Sequence, residues 1–498
     1  MSDVMIGITS VMTPSILALM FMGVVMGIIV GAIPGLTVTM GVALFLPMTY
    51  GMDPIAGLAL LCALYIGGTS GGLISAILLQ IPGTPASVAT CFDGHPLAAR
   101  GEAGKALGIG IVASFLGGLF SFIILAALAP SIARVALKFG SYEYFAIGVF
   151  SLIMIASLSK GSIVKGLISA FLGFAASFVG IAPVTSFARF TFGISKLRTG
   201  FQLLPALIGL FAISQIMCAL EDKYKEEDSS IRDYKIKGFG FTREDIKGQG
   251  KNLAIATLIG TGVGILPGLG AGICNIMAYS AVKDASKYPE KFGTGVVDGI
   301  IASEASNNAC CGGALIPLMT LGIPGDNTTA IILAGFMVHG IAPGPLLFDN
   351  QAVLVYGIFA SLFISNIFMI IAEYVGMRGF VKILNVPSNL LMPIITVFCF
   401  VGAFGVNNRV FEIYVMLGFG LLGYIMKKLS IPQAPIILGF ILGPIIELYL
   451  RSGLQRSHGS FIPFLTAPIS GFFLLLTVVV MSITIYREVK KYKQSKGA

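Results

Sequence analysis

GGLISAILLQIPG, residues 71–83, and GALIPLMTLGIPG, residues 313–325, align without a gap and both end in Ile-Pro-Gly. Upstream of each lies a second matched pair, GAIPGL at 31–36 and GILPGL at 264–269, and only nine residues separate the two registers. Asp93-Gly94 and His339-Gly340 follow at similar distances. These matches define an internal repeat, over roughly residues 25–100 and 258–345. In each motif Pro removes a backbone donor and stops a helix, and Gly tolerates the conformation that follows. The Ile-Pro-Gly motifs sit inside apolar runs. Unwound backbone at membrane depth survives only when buried in protein or facing a watery cavity. The pattern predicts an all-α polytopic membrane protein built from two repeats with broken helices or re-entrant hairpins.

Composition agrees. Of 498 residues, 56% are hydrophobic and 11% charged, so lipid must be the solvent for most of the chain. Apolar runs of spanning length recur from about 14–33 to 467–486, giving about 10–13 expected crossings. No cleavable leader is expected, because the N-terminus lacks a basic stretch and its first apolar run is long enough to span. The segment 221–251 carries eight Lys/Arg and eight Asp/Glu and cannot sit in lipid. It divides an N-terminal transmembrane half, 1–220, from a C-terminal half, 252–486, which a basic tail, 487–498, follows.

Basic residues in the linker and the tail place both in the cytoplasm, and the uncharged-to-acidic N-terminal segment outside. The repeats then enter the membrane from opposite sides, the inverted plan of many secondary transporters. The net charge of +9 is not a nucleic-acid signal, since no basic face alternates with exposed aromatics. The seven cysteines are scattered without metal-ligand spacing and read as packing residues.

The candidate site follows from the breaks. Pro82 and Pro324 open hairpin tips, and a helix restarting behind a tip aims unpaired N–H groups at the gap, an anion site. Gly83, Thr84 and Ser87 in one copy, and Gly325, Asn327 and Thr328 in the other, are the expected substrate contacts. Pro34-Gly35 and Pro267-Gly268 are the hinges, or face the same site. Glu304, Asn307 and Asn308 form a dense polar cluster before the second tip. Carbonyl and carboxylate oxygens suit Na⁺, so these three and Asp326 are the coupling-ion candidates, with H⁺ the alternative. Asn307 and Asn308 fall opposite Tyr65 and Ile66, so the copies are not equivalent here. A fixed charge at Asp326 would repel an anion unless it is protonated or holds a cation.

With these residues in view, the chain resembles the large membrane subunit of the tripartite tricarboxylate transporters, the TctA type. The resemblance rests on the Pro34-Gly35 and Pro267-Gly268 breaks, the Ile-Pro-Gly motifs at 81–83 and 323–325, Asp93-Gly94-His-Pro, Ala302-Ser-Glu304-Ala-Ser-Asn307-Asn308 and His339-Gly340-Ile-Ala-Pro343. It implies uptake of citrate or related carboxylates at the bacterial inner membrane, driven by an ion gradient, commonly Na⁺, without ATP or any cofactor. It also implies two partners, a small four-helix membrane subunit and a periplasmic solute-binding protein. Asp326 departs from the smaller neutral residue expected there. No Walker A motif is present, which independently excludes a P-loop ATPase. Two other classes are weighed. An intramembrane aspartyl protease or lipid-modifying enzyme needs paired carboxylates that the motifs do not supply. A non-transporting scaffold leaves the repeated breaks unexplained.

Overall fold

The computed structural model describes residues 2–158, 162–182, 185–222, 240–383 and 388–496. Most of the charged linker, 223–239, and the last two residues of the tail lie outside the described residues. The described chain is helical apart from one two-stranded antiparallel ribbon, Gly180–Ile181 with Ala188–Arg189. Eight helices are long and apolar enough to cross a membrane, and five shorter apolar helices accompany them among the described residues. The chain is a polytopic, all-α membrane protein.

The chain forms two compact units, 1–133 with 215–402, and 134–214 with 403–498. Both repeat segments fall in the first. Its helices here are α1 (Pro14–Ala32), α2 (Val38–Phe45), α3 (Pro54–Leu79), α4 (Thr90–Leu97), α5 (Ala103–Ala136), α6 (Gly250–Ile265), α7 (Gly270–Asp284), α8 (Val297–Leu321), α9 (Asn327–Val338) and α10 (Ala352–Ile383). Two of them, α3 and α8, are enclosed by protein on all sides, since every residue from Gly57 to Leu78 and from Gly299 to Thr320 is buried. A helix wrapped in protein need not be apolar, and α8 uses that freedom for its Glu-Ala-Ser-Asn-Asn cluster. At 25 residues α8 is about 37 Å long, enough to span a bilayer.

Small residues set the distance between helices. A Cβ on Gly27 or Gly31 of α1 would collide with the backbone of α3 at Leu64 or Gly68. A Cβ on Gly260 or Gly264 of α6 would do the same to α8 at Ser306 or Cys310. Conversely, Gly71 of α3 abuts Ile28, and Gly313 of α8 abuts Thr261. Under the repeat alignment these contacts pair off position by position. Side-chain-free approach of this kind is how helices pack tightly in lipid, where no hydrophobic force drives them together.

In the second unit, Gly173 of the helix Ile163–Ser177 and Gly439 of the helix Ala434–Arg456 each abut the other helix's backbone. Arg189 grips Glu447 through two hydrogen bonds of 2.7 and 3.0 Å, and Arg451 adds a third at 2.8 Å. Of the seven cysteines, all reduced, six are buried and Cys218 is partly exposed.

Candidate functional site

Each enclosed helix ends the same way. α3 stops at Gln80 and α8 at Gly322, both in the left-handed conformation (φ 59° and 73°). Ile-Pro-Gly follows in each case. Gly83 and Gly325 are then wedged where no side chain fits. A Cβ on Gly83 would collide with the Gly31 carbonyl and lie 3.0 Å from Gly72 Cα. A Cβ on Gly325 would lie 2.6 Å from the Gly264 carbonyl and 2.6 Å from Ala314 Cα. Gly31 aligns with Gly264 and Gly72 with Ala314, so the two tips are seated alike.

Beyond the tips the copies diverge. Behind Gly325 the chain restarts at once as α9. Asp326 caps it, accepting from the Thr329 backbone N–H at 2.7 Å and the Thr329 hydroxyl at 2.8 Å. Behind Gly83 there is instead a single 3₁₀ turn, Pro85–Ser87, and α4 begins only at Thr90. A restarting helix behind each tip was the expectation, and only the second copy has it directly. Pro85 and the Thr84–Ser87 hydrogen bonds close the first tip into a tight turn, with Ser87 Oγ donating to the Thr84 carbonyl at 3.0 Å. In that turn the Thr84 hydroxyl only caps the Ser87 backbone N–H loosely, and near Gly83 the Ser75 hydroxyl is buried with no hydrogen-bond partner. Buried hydroxyls are normally fully paired, and neither of these is.

The tips are held crosswise. Tyr65 of α3 donates to Asp326 Oδ2 at 2.7 Å, and Asn307 of α8 donates to the Ala86 carbonyl at 3.1 Å. Tyr65 and Asn307 are aligned positions, yet each grips the tip of the opposite copy. The same exchange occurs one layer away. Thr39 of α2 shares a 2.9 Å hydrogen bond with Thr328, and Gly272 of α7, its aligned counterpart, packs on Pro85. Asn275 of α7 adds a hydrogen bond to the Ala86 carbonyl. The charge of Asp326 is thus answered by the N-terminus of α9 and by Tyr65.

Glu304 is fully buried at the centre of the polar cluster. Its carboxylate accepts from Ser114 Oγ at 3.0 Å, from Asn307 Nδ2 at 3.1 Å and from the Thr90 hydroxyl. Asn308 Nδ2 donates to Asn307 Oδ1 at 2.7 Å. The first tip is tied through Ala86 and Asn307 to Glu304, so three of the coupling-ion candidates lie in one hydrogen-bonded network. Asp326 lies with the second tip instead. Among the hinge candidates, Gly35 (φ 89°) and Gly268 (φ 82°) take matching left-handed bends. The Gly268 N–H donates to the Gly325 carbonyl at 2.7 Å, joining that break to the second tip. Asn327 and Thr328 begin α9, and Thr328 is engaged by Thr39.

Sequence reasoning missed Tyr65 as a tip contact, together with Thr39, Ser75, Ser114 and Asn275. Asp93 stands in the sequence reading as a marker of the repeat and of the family resemblance, with no role of its own. It is fully buried and accepts from the backbone N–H groups of Gly293, Gly295 and Val296 at 3.0, 2.7 and 2.9 Å, and from Tyr279 at 2.8 Å. It anchors α4 to the start of α8.

A helical membrane protein with buried, broken-helix tips around an enclosed polar interior is built as membrane transport proteins are. The chain matches the Tripartite tricarboxylate transporter TctA family over residues 17–438 and belongs to that family. It is 34% identical over 489 residues to the "Uncharacterized 52.8 kDa protein in TAR-I ttuC' 3'region" of Agrobacterium vitis, covering 98% of this chain and 97% of that one. It is also 36% identical over 231 residues to the "Uncharacterized protein in TAR-II ttuC' 3'region" of the same organism, covering 46% of this chain and 96% of the relative. No solved structure matches.

Proposed function

We propose that this chain is the large, substrate-translocating subunit of a binding-protein-dependent secondary transporter. It takes up tricarboxylates or related small organic acid anions with a cotransported cation. The observation that carries this reading is the crosswise holding of two broken-helix tips inside one polar interior. Exchange contacts of this kind support two repeats related by a pseudo-two-fold axis, the inverted plan of many transporters. Substrate oxygens are met by the Thr84 hydroxyl, the Ser87–Ala86 turn, Asn327 and Thr328, with Gly83 and Gly325 allowing close backbone approach. Na⁺ is taken near Glu304, Asn307 and Asn308, where the buried Glu304 carboxylate supplies negative charge and Asn307 Oδ1 a neutral oxygen once the Asn side chains turn from their present hydrogen bonds. Asp326 contributes negative charge from the second tip. Pro34-Gly35 and Pro267-Gly268 flex as the tips move.

The protein sits in the bacterial inner membrane with the linker and C-terminus cytoplasmic. A small four-helix membrane subunit and a periplasmic binding protein that delivers the anion complete the system. The test is uptake of labelled citrate, and then of other carboxylates, into proteoliposomes holding this chain and its small partner. Binding protein is added outside, with and without an inward Na⁺ gradient. Uptake is expected only with both, and Asn307→Ala should raise the Na⁺ concentration for half-maximal uptake. Failure with every carboxylate and every cation gradient, binding protein being active, sinks the proposal.

A further inference from the structure

One ionisable side chain in the first unit has no part in the site just described. Glu373 lies on α10, in its membrane-length apolar stretch, and is 1% exposed. Ser70 of α3 donates to its Oε2 at 3.0 Å. Its Oε1 has no hydrogen-bond partner, and no cationic side chain among the described residues pairs with it.

Among the described side chains, the elements around it offer no counter-charge. α1 carries no ionisable residue at all. The ionisable groups of α3 are Cys62 and Tyr65, and Tyr65 is spent on Asp326. The neighbouring helices Asp3–Val11 and Leu346–Asn350 carry only Asp3 and Asp349, both exposed. α5, which meets α10 through Asn366, has Lys105, which is paired with Asp245, and Arg134 at its far end. On α10 itself Tyr356 is partly exposed and Tyr374 and Arg378 are exposed, while the Lys382 side chain lies outside the described ones. From α8 the ionisable group whose field reaches Glu373 is Glu304, of the same sign.

A bare carboxylate is strongly disfavoured in such a place, so the group must hold a cation. A hard metal ion asks for about six oxygen ligands. Here the hydrogen-bonded set is the two carboxylate oxygens and the Ser70 hydroxyl. A proton asks only for the free Oε1. We infer that Glu373 is a second cation site of this protein and that its cation is a proton, taken from water on one side of the membrane and given to water on the other. The transport part of this inference rests on the function proposed above. The chemistry is a single O–H bond formed and broken, with no redox partner.

Two measurements decide it. The first is infrared difference spectroscopy of the purified full chain in lipid nanodiscs across a pH step, in light and heavy water. A deuterium-sensitive carboxylic-acid carbonyl band is expected in the wild type, lost in Glu373→Gln and shifted in Glu373→Asp. A band unchanged by both substitutions overturns the inference, and should the Gln variant not fold, the Asp shift alone decides. The second is uptake by the reconstituted three-part system with and without an inward proton gradient. The accelerating effect of that gradient is expected in the wild type and lost in Glu373→Gln, with the Asp variant retaining part of it. Equal acceleration in wild type and both variants overturns the coupling role. A wild type that shows the band yet moves no carboxylate supports the proton site while refuting the transport reading.

Discussion

Thr84 and Ser75 carry the sharpest expectation at the level of single residues. Their hydroxyls are buried without full hydrogen bonding, Thr84 only capping its own turn loosely, so they add little to stability. Thr84→Val keeps the shape and removes the hydroxyl, so thermal stability should change little. A hydrogen bond to a charged ligand contributes about 1.5–3 kcal/mol, so carboxylate affinity should fall about tenfold or more. Calorimetric titration of the variant in nanodiscs reads both, and an unchanged Kd would remove Thr84 from the site. Gly83 and Gly325 are poorer probes, because any side chain there strikes backbone and unseats the tip whatever the substrate. Thr84 was legible in the sequence because it directly follows Pro82-Gly83. Ser75 was not, since a lone serine in an apolar helix looks the same whether its hydroxyl is spent on its own helix or left free.

At the scale of elements, the tips are secured by helices from the other copy. Tyr65→Phe removes the donor to Asp326 and leaves Oδ2 buried without it, a loss of about 1–3 kcal/mol. Hydrogen exchange should therefore speed up in α9, which belongs to the second copy, and not in α4 of the first copy, although Tyr65 lies in that copy. Faster exchange in α4 alone would contradict the crosswise arrangement. The sequence did show that Tyr65 stands opposite Asn307, but it could not show their common task. Tyr65 and Asp326 are 261 positions apart, and periodicity carries no information on such pairings.

A second tie joins α5 to the end of the linker. Lys105 of α5 pairs with Asp245 at 2.6 Å. The Lys105 hydrogen bond, helped by the Thr242 N–H, holds the Asp245 carboxyl below its usual range. A lowered carboxylate gives stability that is present above its unfolded value, about 4, and is lost as pH falls through the lower folded one. The tie should thus persist at neutral and mildly acid pH and fail only in stronger acid. Hydrogen exchange at 243–246 should be insensitive to pH between 7 and 5 after correction for intrinsic rates, and Lys105→Ala should raise it throughout that window.

On the scale of the whole molecule, the class of fold was readable from hydropathy and from the doubled Pro-Gly breaks. The division into two compact units was not, because each unit takes chain from both sides of the linker. Nor does hydropathy single out α8 as an interior helix, since its polar cluster lowers the signal that a lipid-facing span would give. The proposed orientation has a direct check. Six of the seven native cysteines are buried, so with Cys218 replaced an introduced cysteine reports its own side of the membrane. A membrane-impermeant maleimide should label Ser2→Cys in intact cells and Gly248→Cys only after permeabilisation. Labelling of both from one side would exclude the inverted plan.

The crosswise grip on the tips has a mechanical meaning. α3 cannot shift without loosening its hold on the second tip, and α8 cannot shift without releasing the first. The two closures behave as an interlock, in which neither latch can be lifted alone. A pathway secured this way is protected against a half-open state through which ions would leak down their gradient unaccompanied. Damage to either latch should then betray itself as leakage before it appears as lost uptake.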